Sequence, residues 1–243
     1  MSTPRVAILI PCLNAIRTIE ACIDSALQQS YDHIHVHVQD GGSSDGTLEI
    51  LAKYNSQRFS FTTTPDSGIY DAINKALDQI DADWYYILGS DDTISGLDAV
   101  ASVMTYGRQD ILLLYGDVQY GKRTNALIPD IHRSRFDHSL WWKNSLHQQG
   151  TFYHRTILQP HRFDSRYRVL ADYDLHLHLL QQGVSAKHTG MTLSHCSADG
   201  LSKQFNMALY SEELRIKWRR LPFWIYALNI PWVIMKWTAK KLF

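Results

Sequence analysis

Five short strand-like runs, some continuously apolar and some alternating, separated by segments with helical spacing, constrain most of what this chain can fold into. The runs lie at 6–10, 34–38, 59–63, 84–88 and 111–115. Between them, segments 18–29, 47–54, 69–79 and 97–106 place apolar residues three and four apart. Ile19, Cys22, Ile23, Ala26 and Leu27 do so in the first, and Ile69, Ala72, Ile73, Ala76 and Leu77 in the third. Strand-length runs alternating with helix-length ones are the pattern of a parallel sheet wound on both faces. The fold expected is therefore α/β, a Rossmann-like and mostly parallel sheet flanked by helices. A chain of 243 residues with 45% hydrophobic content can fill the core of one such domain.

The pattern changes after Gly116. A hairpin around Gly121 is expected to join 118–120 to 125–128, followed by a short aromatic helix at 136–142 and a strand at 151–153. A helix from Leu170 to Gln182 and a last strand at 185–193 complete an extension of the first sheet. No repeat and no linker rich in Pro, Gly or Ser divides the chain.

In sheets of this kind ligands bind where the strands end, and acids gather there. The second run leads into Asp40-Gly-Gly-Ser43, a turn of the sort that floors a nucleotide site. Asp45 or Thr47 is the expected cap of the helix that follows. The turn does not match G-x-G-x-x-G, so a dinucleotide is not inferred. Asp66 follows the third run, and the pair Asp91 and Asp92 follows the fourth. Adjacent carboxylates repel, no basic residue lies close in sequence, and a divalent cation would relieve the repulsion. His33, His35 and His37 share one face of a strand, but no nearby acid completes a metal site, so they read as an edge or half-exposed strand face.

Charge is balanced overall, 24 basic against 24 acidic residues, but unevenly spread. The last thirty residues, 214–243, hold seven basic residues and no acidic one. An acidic body with a basic, Trp-rich tail does not fit a nucleic-acid binder, whose cations would line a groove; it fits an anionic membrane surface. Within the tail, 207–220 reads as a helix. Residues 223–235 carry no charge and are interrupted by Pro231. Thirteen residues are too few to cross a bilayer, which takes about 20. Flanking Trp and Lys suit an interfacial helix, with packing on the body or in a dimer as the alternative. Cys12, Cys22 and Cys196 form no C-x-x-C pair, which points to a reducing compartment. The first residues lack a signal peptide's apolar core. The expected location is cytoplasmic, peripheral to the inner face of the plasma membrane.

Taken in order, these motifs resemble family 2 glycosyltransferases of the GT-A fold, in particular a bacterial subgroup that builds cell-surface polysaccharides. The matching residues are Pro11 and Asn14, Asp40-Gly-Gly-Ser43 with Asp45-Gly-Thr47, and Asp66-Ser-Gly-Ile-Tyr-Asp-Ala72 with Asn74-Lys75. Ser90-Asp-Asp92, His147-Gln148 and Ala171-Asp-Tyr-Asp174 complete the set. The resemblance implies a nucleoside-diphosphate sugar donor, Mg2+ or Mn2+, inversion at the anomeric carbon, and a glycan or lipid-linked acceptor. It assigns Pro11, Asn14, Asp40, Gly41, Asp66, Asp71, Asn74, Lys75 and Asp91 to the nucleotide sugar. Asp40 would meet the base or ribose, and Asp91 the ribose. Asp92 would hold the metal, with His195 as a further ligand in some relatives. His147, Gln148 and Asp174 fall on the acceptor side, and Asp172 is the general base.

Asp172-Tyr-Asp174 spells D-x-D, the family's metal motif, but far from the fourth run. Two positions apart on a helix, the acids point about 200° apart, so only one faces the site. Ala171 replaces the acid that often precedes the base, which leaves Asp172 and Asp174 both open. Asp199-Gly-Leu-Ser202 resembles the family's lid over the site. The division expected is a GT-A domain over 1–205 and a membrane-associating helical tail over 206–243; the oligomeric state is open. Two rivals remain. A nucleotidyltransferase would want a basic glycine-rich loop after the first strand, which Pro11-Cys-Leu-Asn14 does not offer. A non-catalytic sugar-nucleotide-binding or scaffold protein would keep the fold without needing Asp172.

Overall fold

The computed structural model describes residues 3–107, 110–121, 129–197 and 207–241. Four parallel strands form its frame: β1 (Val6–Cys12), β2 (Ile34–Asp40), β3 (Phe59–Thr63) and β4 (Trp84–Ile87), in the spatial order β3-β2-β1-β4. All seven residues of β1 are buried, as a central strand covered on both faces must be. The connecting helices are α1 (Ile19–Leu27), α2 (Thr47–Leu51) and α3 (Ile69–Gln79). Alternation along β1 sends its side chains to two cores. Ile8 and Ile10 pack with α1, α2 and α4 (Ala99–Met104); Ala7 and Leu9 pack with α3.

Beyond β4 the sheet is not simply parallel. β8 (Thr151–His154) lies antiparallel between β4 and β6 (Leu113–Tyr120), so the fifth apolar run does not neighbour the fourth. β9 (Ala186–Cys196) runs parallel to β6, and β5 (Thr93–Ile94) pairs antiparallel with β9. Of the expected hairpin, 118–120 belongs to β6 and pairs with β7 (Ile131–His132), whereas 125–128 lies outside the described residues. The aromatic segment forms a 3-10 turn at His138–Trp141. A second 3-10 turn, Gln148–Gly150, leads into β8, which is followed by the short α5 (Arg155–Leu158).

His35 and His37 do not sit on an edge, whereas His33 precedes β2 and is exposed. β2 is an interior strand. His35 Nε2 and His37 Nδ1 lie 2.7 and 2.9 Å from Ser60 Oγ on β3, and burial pulls His37 down to about 4. Cross-strand hydrogen bonding, not metal binding, explains them.

α6 (Ala171–Gln181), α7 (Met207–Arg220) and α8 (Phe223–Lys241) cover the α3 face. Pro231 lies inside α8 and does not end it; it is exposed, as is Ala227, whose carbonyl loses its N–H partner and can turn to water. Leu209, Ile216, Leu221 and Ile225 join the same core as Tyr70, Tyr153 and Tyr173. The C-terminal helices are thus packed into the domain. Ile225, Asn229 and Val233 face inward on α8; Phe223, Trp224, Leu228, Ile234 and Met235 face out, over half of each exposed.

Candidate active site

The loops after β1 and β2 are built as one piece. Asn14 takes a left-handed backbone (φ 52°), which asparagine tolerates better than most residues. Its Oδ1 accepts from Ser44 N (2.9 Å), while its own N–H donates to Ser43 Oγ (2.7 Å). Ala15 N donates to Thr47 Oγ1 (2.9 Å), and Ile16 N to Asp45 Oδ2 (3.0 Å). Asp45 also accepts from Thr47, whose hydroxyl is the main reason its carboxyl is held below the usual range. The cap position of α2 itself is Gly46, so Asp45 ties the two loops together instead of capping the helix.

Asp40 is fully buried. Its Oδ2 accepts from the N–H groups of Gly42 (2.9 Å) and Ser43 (3.0 Å), and its Oδ1 accepts from the Ser43 hydroxyl. The carboxylate is spent on its own turn, and in this conformation the expected direct contact with a base or ribose is sealed off. Gly41 matters for a different reason. A Cβ there would lie 2.3 Å from Asp66 Oδ2, so the two strand-end loops meet only because residue 41 has no side chain.

Around Asp66 the segment is braced from α3. Asp66 Oδ1 accepts from Gly68 N (2.9 Å), and Asp71 Oδ2 from Ser67 N (2.8 Å). Lys75 Nζ donates to Asp71 (3.0 Å) and to the Pro65 carbonyl (2.7 Å). Asn74, expected at the nucleotide sugar, points elsewhere. Its amide clips both backbone groups of Phe163, donating to O at 2.8 Å and accepting from N at 3.1 Å. Held at both ends, the amide is oriented toward the Phe163 backbone.

A cavity of about 580 Å3 opens at the end of β4. Pro11, the pair Asp91 and Asp92, and Asp172 all line it, although the two acidic clusters are eighty residues apart in the chain. Asp91 and Asp92 converge over Gly89. A Cβ on that glycine would lie 3.1 Å from Asp91 Oδ1 and 2.5 Å from Asp92 Oδ2. Asp92 is 4% exposed, and its Oδ1 accepts from Ser197 N (2.9 Å) at the end of β9. Burial first, and the Asp91 charge second, push it up to about 7. Two converging oxygen donors, with no ion pair among the described residues, fit a hard divalent ion such as Mg2+ or Mn2+, which commonly takes its other ligands from phosphate and water. Among the described residues no group of three His, Cys, Asp or Glu could hold a metal. His195 does not extend the pair. It lies within β9, paired with Thr93, where alternation turns it away from Cys196, which lines the cavity.

Asp172 stands in the first turn of α6 with its carboxylate in the cavity. Burial raises it above the ordinary carboxylate range; hydrogen bonds from Asn144 and Tyr70 pull the other way. Asn144 Nδ2 donates to Oδ2 (3.0 Å). The Tyr70 hydroxyl lies 3.0 Å from Oδ1 and 2.8 Å from the Val169 carbonyl, so its single proton serves one at a time. Asp174 is turned away and corrected from the acceptor side. Arg220 holds both its oxygens, at 2.8 and 2.6 Å, in a buried fork between α6 and α7. His147 and Gln148 do line the cavity. The His147 ring lies edge-on to Tyr120 and His132, and Gln148 Nε2 is buried with no partner among the described residues. The proposed lid, 199–202, lies outside the described residues.

Three contributors were not legible in the sequence. Tyr70 and Asn144 reach Asp172 across long separations. Glu212 of α7, itself buried, accepts the N–H groups of Arg168, Val169 and Leu170 at 2.8, 3.0 and 3.2 Å. It therefore fixes the backbone just ahead of Asp172, where α6 has no side-chain cap of its own.

Residues 7–173 match the model of the family described as glycosyl transferase family 2. A PGL/p-HBAD biosynthesis glycosyltransferase of Mycobacterium tuberculosis is 33% identical over 186 residues, 73% of this chain and 70% of that protein. The crystal structure of S. aureus TarS in complex with UDP-GlcNAc superposes with a TM-score of 0.69 at 17% identity. The match covers 87% of this chain and 65% of that one. Glucosyl-3-phosphoglycerate synthase of M. tuberculosis, in complex with Mn2+, UDP and phosphoglyceric acid, gives 0.60 at 18% identity, over 88% and 78%.

Proposed function

Because the chain belongs to glycosyl transferase family 2, we propose that it moves a sugar from a nucleoside-diphosphate sugar to a hydroxyl of a glycan or lipid-linked acceptor, with inversion, in surface polysaccharide or glycolipid synthesis. The observation that carries this reading is the shared cavity, with the converging pair Asp91 and Asp92 and the buried Asp172 on its walls. Asp172 accepts the proton of the attacking hydroxyl. A carboxylate raised by burial is a better base than one in water. Asn144 and Tyr70 hold it in one orientation, and Glu212 holds the backbone behind it. Asp91 and Asp92 would hold the divalent ion, which when bound offsets the charge of the departing diphosphate. Asp40 acts through its turn, keeping the β1 and β2 loops in place as the floor for the nucleotide. The likeness to structures that carry UDP-GlcNAc, or UDP with Mn2+, supports both the donor class and the metal.

The test is a thermal-shift panel of UDP-, GDP-, dTDP- and CDP-sugars with and without Mn2+. One donor should raise the melting temperature, and Mn2+ should enlarge the shift. Asp172→Asn should keep that shift and lose transfer by roughly 10²–10⁴-fold. No shift with any donor sinks the reading; undiminished transfer in the variant sinks the base.

The same proposal extends to location, the cytoplasmic face of the plasma membrane. Among the described residues no helix is long and apolar enough to cross a membrane. α8 instead packs Ile225, Asn229 and Val233 against the body and leaves a second apolar face, Phe223, Trp224, Leu228, Ile234 and Met235, exposed. Such a face suits the interfacial layer of an anionic bilayer. Sedimentation with phosphatidylglycerol vesicles should carry the protein down, and Trp224→Ser with Leu228→Ser should release it. Equal recovery of both proteins in the supernatant would overturn the location.

A further inference from the structure

We propose that the acceptor carries an acidic group near the hydroxyl it offers, and that Lys236 of α8 and Arg168 receive that group at the cavity wall. The inference rests on the transfer reading above and adds the chemistry of the second substrate.

Its basis is a charge imbalance in that wall. Glu213 Oε1 accepts from Lys217 Nζ and Lys236 Nζ, both at 2.6 Å. One carboxylate facing two ammonium groups leaves one positive charge over. Lys217 cannot use it on a ligand. It is fully buried, and its three N–H directions go to Glu213, Asn229 Oδ1 (2.7 Å) and Trp142 O (3.0 Å). Burial pulls Lys217 down to about 8, with Lys236 adding to the effect. A second anion beside Lys236 would ease both.

Lys236 is placed to take one. It lines the cavity, stands over the Tyr210 ring at 5.9 Å, and among the described residues has a single hydrogen bond, to Glu213. An ammonium group has three donors, so two remain. Arg168 lines the same cavity with an exposed guanidinium that makes no ion pair among the described residues. Its backbone N–H is pinned by Glu212, so the side chain starts from a fixed point. Arg168 is four residues ahead of Asp172, which keeps the cation near the base. A neutral acceptor would displace water from Arg168 and leave Lys236 sharing one carboxylate with Lys217; a phosphate or carboxylate would pair with both cations.

The experiment uses the full chain in Mn2+ with the donor found by the panel. Phenyl phosphate, phenyl β-glucuronide and phenyl β-glucoside are titrated calorimetrically. At least one acidic probe should bind about tenfold more tightly than the neutral glucoside, the size of one modest charge-assisted contact. Lys236→Met and Arg168→Ala should each reduce that preference, and Lys236→Arg should restore it. If Lys236→Met fails to fold, Arg168→Ala and Lys236→Arg carry the comparison. Preference for the phosphate points to a lipid phosphate, and preference for the glucuronide to an acidic sugar; either supports the inference. Equal binding of acidic and neutral probes overturns it, as does a preference that survives loss of both cations. A wild-type protein that binds acidic probes but shows no donor shift would sink the transfer reading and leave the anion site standing.

Discussion

At the scale of single residues, the site depends as much on missing side chains as on present ones. Gly89 lets two carboxylates converge, and Gly41 lets Asp66 reach the β2 loop. In Gly89→Ala, the added Cβ would lie 2.5 Å from Asp92 Oδ2, well inside van der Waals contact, so the carboxylate must swing away. The expected outcome is a rise of about tenfold or more in the Mn2+ concentration for half-maximal activity, with Mn2+ binding followed directly by electron paramagnetic resonance. Unchanged metal affinity would show that the pair does not hold the ion. The acids at the strand ends could be found from sequence because they interrupt apolar runs. What each acid does could not be. Asp40 and Asp174 look like ligands in the sequence, yet one is absorbed by its own turn and the other by Arg220, and both partnerships are set by backbone geometry.

Among the elements, β1 to β4 and their helices were legible because each repeats one simple rule, an apolar run and then a helical stripe. β5 and β7, two residues each, carry no pattern to read. β8 was legible as a strand but not in its place between β4 and β6, since pairing order leaves no mark in local sequence. α7 was visible as a helix and invisible as a part of the site. Its Glu212 makes a prediction that belongs to this scale. Glu212→Ala would leave three backbone N–H groups, one buried and two partly buried, without their acceptor and should destabilise the fold by about 3 kcal/mol. Glu212→Gln keeps an acceptor oxygen but turns an amide donor toward N–H groups. It should lower kcat by about tenfold or more with little change in the donor's binding. A variant with full kcat, measured where the protein is folded by circular dichroism, would remove α7 from the positioning of the base.

For the whole molecule, two buried histidines make the fold sensitive to acid. Burial pulls His176 down to about 3 and His37 to about 4, from an ordinary value of 6.5. Both are neutral in the fold and protonate when the chain unfolds, so the unfolded state binds more protons below pH 6.5. Stability is complete above that value and declines as the pH falls toward 4, by up to about 1.4 kcal/mol per pH unit for each histidine. Asp92 and Asp172, raised in the fold, act in the opposite sense over the same range, so the test is a comparison: thermal melts across pH 7 to 4 should show His176→Gln losing less stability toward acid than the wild type, and equal slopes would contradict the buried His176. One further consequence comes from the neighbours Glu212 and Glu213. The first holds the segment carrying the base, and the second holds Lys236. A substrate that pulls on Lys236 therefore pulls on the same turn of helix that aligns Asp172. Occupancy at one edge of the cavity is in this way mechanically tied to the opposite edge, and a substitution at either glutamate should be felt at both.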